Sequence, residues 1–373
     1  MNDAAIRIKE KIKSLAILLF PNTTALYIFR NQKAFNSLKV WGGDSLSEMI
    51  EENINFYLTE EEKENTSLLN SIKKDIIKCH FKYGINPIEY FIHDFRTKTD
   101  KIRNTYMPKK LKDQLIMSKL GDNRNQAFIE LKDKFLFYKL AKQYFKRDVC
   151  NINGSDDFYQ FELFTQKHTR FIAKPINGRF GQNTNIYDLK EYNYSPRAVF
   201  NILLNITNEW IIEELIVQDD RMSEWNSSSV NTIRIPSFRT AKGIVVFAPF
   251  MRTGRKDSPV DNGGAGGVMF SLNSKTGETC SDAIDELGHT FKAHPDSNKI
   301  VKGWRVPEWD KLLLLSEEVH KSLPLYHKYV GFDFALSKDK GWILVEGNWG
   351  DFICQQATLH RGLKKEFTEL INL

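Results

Sequence analysis

Two carboxylates and an amide stand inside apolar stretches in the last part of this 373-residue chain. They are Asp333 in Gly331-Phe332-Asp333-Phe334-Ala335-Leu336, and Glu346 and Asn348 in Trp342-Ile343-Leu344-Val345-Glu346-Gly347-Asn348. Residues two apart on a strand share a face, so Glu346 and Asn348 project together, and a hairpin partner can bring Asp333 beside them. A hard, oxygen-only set of this kind suits Mg²⁺ carrying phosphates, because Mg²⁺ takes few protein ligands and keeps waters. A solvated strand end would explain the same residues. It is the weaker explanation, since carboxylates flanked by Phe, Leu, Ile and Val need partners once buried. Asp333-Phe334 begins like the Asp-Phe-Gly of protein kinases, but Ala335 follows and no His-Arg-Asp loop precedes it.

A second stretch, Phe171-Ile172-Ala173-Lys174-Pro175-Ile176-Asn177-Gly178-Arg179-Phe180-Gly181-Gln182-Asn183-Thr184, delivers a lysine from a strand into a loop with two glycines. Gly178 and Gly181 let backbone N–H groups approach phosphate oxygens closely. No Gly-Lys-Ser/Thr follows, so this is neither a Walker A loop nor a dinucleotide fingerprint, and alone it also describes an ordinary hairpin. Between the two stretches lie Asn231-Thr232-Ile233-Arg234, then Arg252, then Asp261-Asn262-Gly263-Gly264-Ala265-Gly266-Gly267. Arginine forks beside a glycine-rich loop offer planar donors to phosphate oxygens.

These side chains need strands to carry them, and the chain supplies strand signals only in its later part. Up to about residue 146 the pattern is helical, as in 71–83, where Ile72, Ile76, Ile77 and His80 fall on one face, and in the Lys-rich 133–145. The stretch 83–91 breaks with Gly84 and Pro87 and reads as a turn into another packed element. After Cys150, short β-branched and aromatic runs at 171–175, 210–214, 230–235, 242–252, 330–336 and 341–346 read as strands, the last two joined by a turn. A helix is expected over 307–323, with Pro307 near its start and Leu312, Leu315 and Val319 on one side. The fold class is therefore α+β. Expected parts are a mainly helical region over 1–130, a subdomain over 131–216 with Lys174 and the glycine loop, and a subdomain over 217–373 with the metal and phosphate site.

Composition sets the outer limits. The chain is 41% apolar and 27% charged, a globular balance. Its 53 Lys and Arg against 47 Asp and Glu leave +6, a weak bias toward anionic ligands and no nucleic-acid footprint. Cys79, Cys150, Cys280 and Cys354 lie far apart, which fits reduced thiols and a cytoplasmic location. The first twenty residues read as an amphipathic helix ended by Pro21. They lack a signal-peptide cleavage site and are compatible with a peripheral membrane or glycan-assembly contact.

The order Lys174, glycine loop, Glu213-Glu214, Asn231-x-x-Arg234, Arg252, Asp261-Asn262 with glycines, Asp333 and Glu346-x-Asn348 resembles the ATP-grasp superfamily. It is most similar to the sugar-transfer-associated branch, through Tyr83-Gly84, Glu89-Tyr90-Phe91, Asp133-Lys134, residues 229–234, His294-Pro295 and Glu346-Gly347-Asn348. The resemblance implies an ATP-grasp fold, two α+β subdomains clasping ATP. It also implies that Lys134 and Lys174 hold the α- and β-phosphates, with the loop around Gly178 and Gly181 folding over them. The backbone of the hinge segment 213–216, with Glu213, Glu214 and Ile216, would recognise adenine, with Glu213 or Asp220 toward its amino group or the ribose. Asp333, Glu346 and Asn348 would bind Mg²⁺, and Arg234 and Arg252 would face the γ-phosphate and the reacting carboxylate, with Asn262 on the loop beside them. His294 would deprotonate an attacking amine or else orient a loop. The activity so implied is ligation of a carboxylate, such as a sugar acid or surface-polysaccharide precursor, to an amine through an acyl phosphate. The competing readings are phosphorylation of a hydroxyl and a nucleotide-binding partner of a glycan assembly.

Overall fold

The computed structural model describes residues 21–40, 43–177, 183–256, 258, 261, 266–350 and 352–373, so the expected helix over the first twenty residues lies outside it. The chain divides into two compact units. One holds residues up to 116 with 287–289 and 351–369; the other holds 117–286, 290–350 and 370–373.

The first unit is helical in its leading part. Helices α1 (Leu46–Tyr57), α2 (Thr66–Tyr83) and α3 (Pro87–Ile92) share a core that includes Ile50, Ile54, Ile72, Ile76, Ile77 and Tyr90. Helix α2 starts five residues before the expected 71 because Asn65 caps it, its side-chain oxygen accepting from the Leu68 N–H at 3.1 Å. It ends at Gly84, whose φ of 77° is the left-handed stop the sequence suggests. The next element begins two residues later, where Asn86 and Glu89 close a capping box around Pro87.

The second unit carries two antiparallel sheets. Strands β1 (Val149–Ile152), β2 (Arg170–Pro175), β3 (Asn185–Asp188) and β4 (Trp210–Glu214) form the smaller one in the order β1-β4-β2-β3. It buries Phe171, Ala173, Trp210 and Ile212 against Phe161 and Phe164, and against Val199, Phe200 and Leu203, on two helices introduced below.

The larger sheet runs β10-β9-β8-β7-β5-β11-β12, with β6 also paired to β5. Its strands are β5 (Thr232–Thr240), β6 (Gly243–Val246), β7 (Phe250–Thr253), β8 (Val268–Ser271), β9 (Ala283–Ile284), β10 (Thr290–Phe291), β11 (Tyr329–Ser337) and β12 (Gly341–Asn348). The single strand expected over 242–252 is broken in two. Ala248 turns to φ 51° and Pro249 follows, so β6 pairs with residues 237–240 of β5 and β7 with residues 232–234. All nine positions of β11 are buried, as its nearly continuous apolar run requires.

Helices α4 (Arg124–Lys132), α5 (Lys134–Phe145), α6 (Phe158–Lys167), α7 (Pro196–Ile206) and α8 (Trp309–Ser322) complete this unit. Helix α8 begins two residues after Pro307 because Glu308, at φ 54°, intervenes. The architecture is α+β, with the helical leading region the sequence suggests. No helix among the described residues is long and apolar enough to cross a membrane.

Candidate active site

Antiparallel register aligns the expected residues on one sheet face. Asp333 on β11 pairs with Arg234 on β5 and with Glu346 on β12, so three ionisable side chains form a row across adjacent strands. Two residues along β5, on the same face, Thr232 pairs with Arg252 of β7. Asn348 pairs with Gly331 and joins the row, its Oδ1 accepting from Arg234 Nη1 at 3.3 Å and its Nδ2 donating to Glu346 Oε1 at 3.3 Å. Pairing slips between Asp333 and Phe334, because Phe334 faces Leu344 and Val345 is left over as a β-bulge. Gly347 is there for space: a Cβ on it would lie 2.2 Å from the Phe137 ring of α5. The helix that begins with Lys134 thus packs an aromatic ring about one turn from its start directly on the strand end that carries Glu346 and Asn348.

Asp333 is almost wholly buried, and both its oxygens are held by arginines. Arg234 donates through Nε to Oδ1 and through Nη2 to Oδ2 at 2.8 Å, and Arg252 Nη2 donates to Oδ2 at 2.9 Å. Burial alone would push the carboxyl up, but the two guanidiniums hold it far below the usual range. Glu346 shifts the other way, raised by burial and by the neighbouring Asp333 charge. Arg252 also reaches Thr232 Oγ1 at 3.0 Å and Asp261 at 3.6 Å, while Thr232 Oγ1 donates to Asp261 Oδ2 at 2.5 Å. Among the described residues Arg252 Nη1 has no acceptor, which leaves one edge of that fork for an incoming anion.

The smaller sheet adds one lysine and helix α5 another. Lys174 on β2 donates to Glu213 Oε1 at 3.1 Å, and Lys134, the first residue of α5, donates to the Pro175 and Ile176 carbonyls at 3.1 and 3.3 Å. Burial lowers the Lys134 ammonium, and Glu346 opposes that shift while Lys174 adds to it, so these groups share one electrostatic neighbourhood. Glu213 is buried and held from its other side by Arg147, whose Nε and Nη2 donate to Oε2 at 2.9 and 2.6 Å. Burial pushes this carboxyl up, yet the Arg147 and Lys174 charges bring it down to about 2. Arg147 also donates to the Leu344 carbonyl at 2.6 Å and the Val345 carbonyl at 3.2 Å, the two residues of the bulge. One buried guanidinium therefore joins the smaller sheet to the strand that presents Glu346.

Several expectations need correction. In this structure the Glu213 side chain serves Arg147 and Lys174, which engage both its oxygens. Glu214 is tied to the Asp148 N–H at 2.9 Å and to Lys340 at 2.5 Å. With Ile216 it lines a cavity of about 30 Å³. Asp220 is exposed and paired with Lys338 at 2.8 Å, apart from the charged row. His294 is no proton acceptor for a substrate, since its ring is fully buried and backbone uses both nitrogens. Nε2 donates to the Gly254 carbonyl at 3.2 Å, and Nδ1 accepts from the Asp296 and Ser297 N–H groups at 3.3 and 3.2 Å. It anchors the strand end after Arg252. Gly178, Gly181 and Asn262 lie outside the described residues. Arg147, Thr232 and Asp261 are partners that the sequence reading assigned no role.

Among the described residues no three His, Cys, Asp or Glu side chains gather as a metal set; the grouping here is two carboxylates completed by the Asn348 amide. It fits a hard divalent cation on chemical grounds. Two carboxylates sit side by side, one is held deprotonated by the arginines, and the other is pushed toward protonation by its neighbour, a conflict a cation relieves.

A family model described as sugar-transfer associated ATP-grasp matches residues 117–370. The chain belongs to this ATP-grasp family. Solved ATP-grasp structures are similar to it at low identity. N5-carboxyaminoimidazole synthetase from Staphylococcus aureus, complexed with ADP, is 11% identical over 61% of this chain and 46% of its own, with a TM-score of 0.38. The ATP-grasp ligase PsnB, complexed with a minimal precursor, is 11% identical over 73% and 70%, with a TM-score of 0.42. D-alanyl-alanine synthetase A from Vibrio cholerae is 8% identical over 65% and 64%, at 0.40. This ATP-grasp chain thus spans less than half the length of the synthetase. No curated protein matches its sequence.

Proposed function

We propose that this ATP-grasp protein is an ATP-dependent carboxylate–amine ligase that works through an acyl phosphate, with a sugar acid or surface-polysaccharide precursor as the carboxylate. The observation that carries the reading is the row Glu346–Asp333–Arg234 with Arg252 beside it: fixed cations and an oxygen donor set on one face. The sugar-acid part rests on the family's description alone.

A carboxylate and an amine do not condense in water, so the carboxylate is activated first. Its oxygen attacks the γ-phosphorus, the bond from that phosphorus to the bridging oxygen breaks, and ADP leaves. The amine nitrogen then attacks the acyl carbon, the carbon–oxygen bond to phosphate breaks, and the nitrogen gives up a proton. Lys134 and Lys174 supply fixed positive charge to the phosphate chain, and Arg252 meets the charge that builds on the transferring phosphoryl. Arg234 acts through Asp333, holding it ionised and oriented. Asp333, Glu346 and Asn348 would hold Mg²⁺, which when bound neutralises phosphate charge.

The test is ADP release from Mg-ATP across a panel of sugar acids and amines, with hydroxylamine present and Glu346→Gln as control. ADP with a hydroxamate, absent in the variant, supports carboxylate activation. ADP without a hydroxamate replaces the reading by hydroxyl phosphorylation, and no ADP from any pairing removes it.

A further inference from the structure

A buried polar chain lies behind the charged row, among residues that the proposed reaction does not use. Glu130, on the last turn of α4, is nearly inaccessible and ionised. Burial pushes its carboxyl up, but hydrogen bonds from Gln126, Tyr326 and His327 bring it below its usual range. Gln126 Nε2 donates to Oε1 at 2.7 Å, Tyr326 OH lies 2.8 and 2.9 Å from the two oxygens, and His327 Nε2 lies 2.7 Å from Oε2. The His327 carbonyl accepts from His320 Nε2 at 2.9 Å, and His320 Nδ1 lies 2.7 Å from Ser237 Oγ. A carbonyl only accepts, so His320 carries its proton on Nε2 and Ser237 donates to Nδ1. Burial holds His320 down to about 4, which keeps it neutral and this pattern intact. Arg239 closes the chain by donating to the His320 carbonyl and to the Leu323 carbonyl at 3.1 Å.

Each end of this chain sits a few residues from a site residue on the same element or the next. Lys134 follows Glu130 by four positions, across a junction where α4 stops and only Asp133, extended at φ −84° and ψ 109°, separates it from α5. Ser237 lies three positions beyond Arg234 on β5. His327 lies two positions before β11, whose fifth residue is Asp333. Helix α4 has a polar composition and contributes little beyond Ala127, Glu130 and Leu131 to burial, so Glu130 is its main directional tie. Where α4 ends decides where Lys134 begins.

We propose that Glu130 is a positioning residue for the nucleotide site: through Tyr326 and His327 it fixes the α4–α5 junction, and hence Lys134, against the segment that launches β11 and Asp333. The inference rests on the reading that Lys134 and Asp333 serve Mg-ATP. Loss of the carboxylate strands the buried His327 N–H and leaves the half-buried Tyr326 hydroxyl without its partner, and the junction shifts to rehydrate them.

The test is equilibrium binding of Mg-ATP to the full chain in a double-mutant cycle of Glu130→Ala and Lys134→Ala, with thermal melting alongside. Glu130→Ala is expected to weaken binding about tenfold in the wild-type background and by less than about twofold once Lys134 is alanine. Glu130→Gln, which keeps an acceptor for Tyr326, is expected to recover most of the loss. A melting loss with unchanged Mg-ATP affinity overturns the proposal by showing a structural role only, and so do losses that multiply in the double variant. Should Glu130→Ala fail to fold, Tyr326→Phe takes its place in the same cycle, and an unchanged affinity there overturns the proposal equally. If the wild-type chain binds no Mg-ATP, the functional reading itself falls and the brace with it. If the wild type binds and Glu130→Ala binds equally, the brace alone falls.

Discussion

Each sheet of the second unit holds one buried carboxylate between two cations, but only the larger sheet sets another carboxylate beside it. In the smaller sheet Glu213 lies between Arg147 and Lys174; in the larger, Asp333 lies between Arg234 and Arg252 with Glu346 as neighbour. The first cluster satisfies itself and acts as scaffold. The second carries a carboxyl raised by burial and by its neighbour, and in the proposed reading it is the place where charged ligands arrive. Similar side chains thus divide into a joint and a working surface according to whether their charges are already matched.

Five experiments break or sharpen that contrast, in decreasing order of effect. Glu346→Gln is expected to lower ATP turnover by about 10²–10³, the loss typical of one electrostatic catalytic group. It should leave the melting temperature unchanged or higher, because a carboxyl whose folded pKa is raised destabilises the fold once ionised. Turnover equal to wild type would make Glu346 part of the scaffold.

Arg147→Met should do the reverse in kind, costing about 3–5 kcal/mol of stability in denaturant unfolding, as expected when a buried pair loses one partner. Gly347→Ala should cost about 1–3 kcal/mol through its overlap with Phe137 and reduce Mg-ATP affinity with it; full stability would mean that α5 yields without consequence.

The fourth experiment is a pH series. Glu213 has a lowered folded pKa, so its stabilisation is complete above about pH 4.5 and disappears as pH falls toward 2. Glu213→Gln should therefore flatten the acid limb of stability between those values. At the weak end, Asp220→Ala breaks only an exposed pair with Lys338 and should move stability by less than about 0.5 kcal/mol and ATP affinity not at all.

The residues of the working surface were legible in the sequence because strand alternation and a short hairpin are local rules. Asp333, Glu346 and Asn348 come together through pairing of adjacent strands, and Arg234 and Arg252 through the next two. The joint was not legible. Arg147 meets Glu213 across 66 residues and the Leu344 carbonyl across 197, and nothing near Arg147 marks it as other than a surface arginine after a helix. The partners of Glu213 and Glu214 were hidden for a related reason: the two residues alternate on β4, but Arg147 and Lys340 are distant in sequence. The break between β6 and β7 escaped because alanine does not announce a left-handed φ.

The leftover residue at Val345 has a consequence for how this strand tolerates insertion and deletion. Phe334 faces Leu344 and Asp333 faces Glu346, so a chain lacking residue 345 would still place the glutamate opposite the aspartate. What it would lose is the Val345 carbonyl that receives Arg147. A one-residue gap at this point therefore leaves the acidic pair in frame while removing one of the two carbonyls through which Arg147 ties it to the smaller sheet. Two proteins of this family aligned across such a gap would share their acid residues and differ in how firmly the two sheets are fastened together.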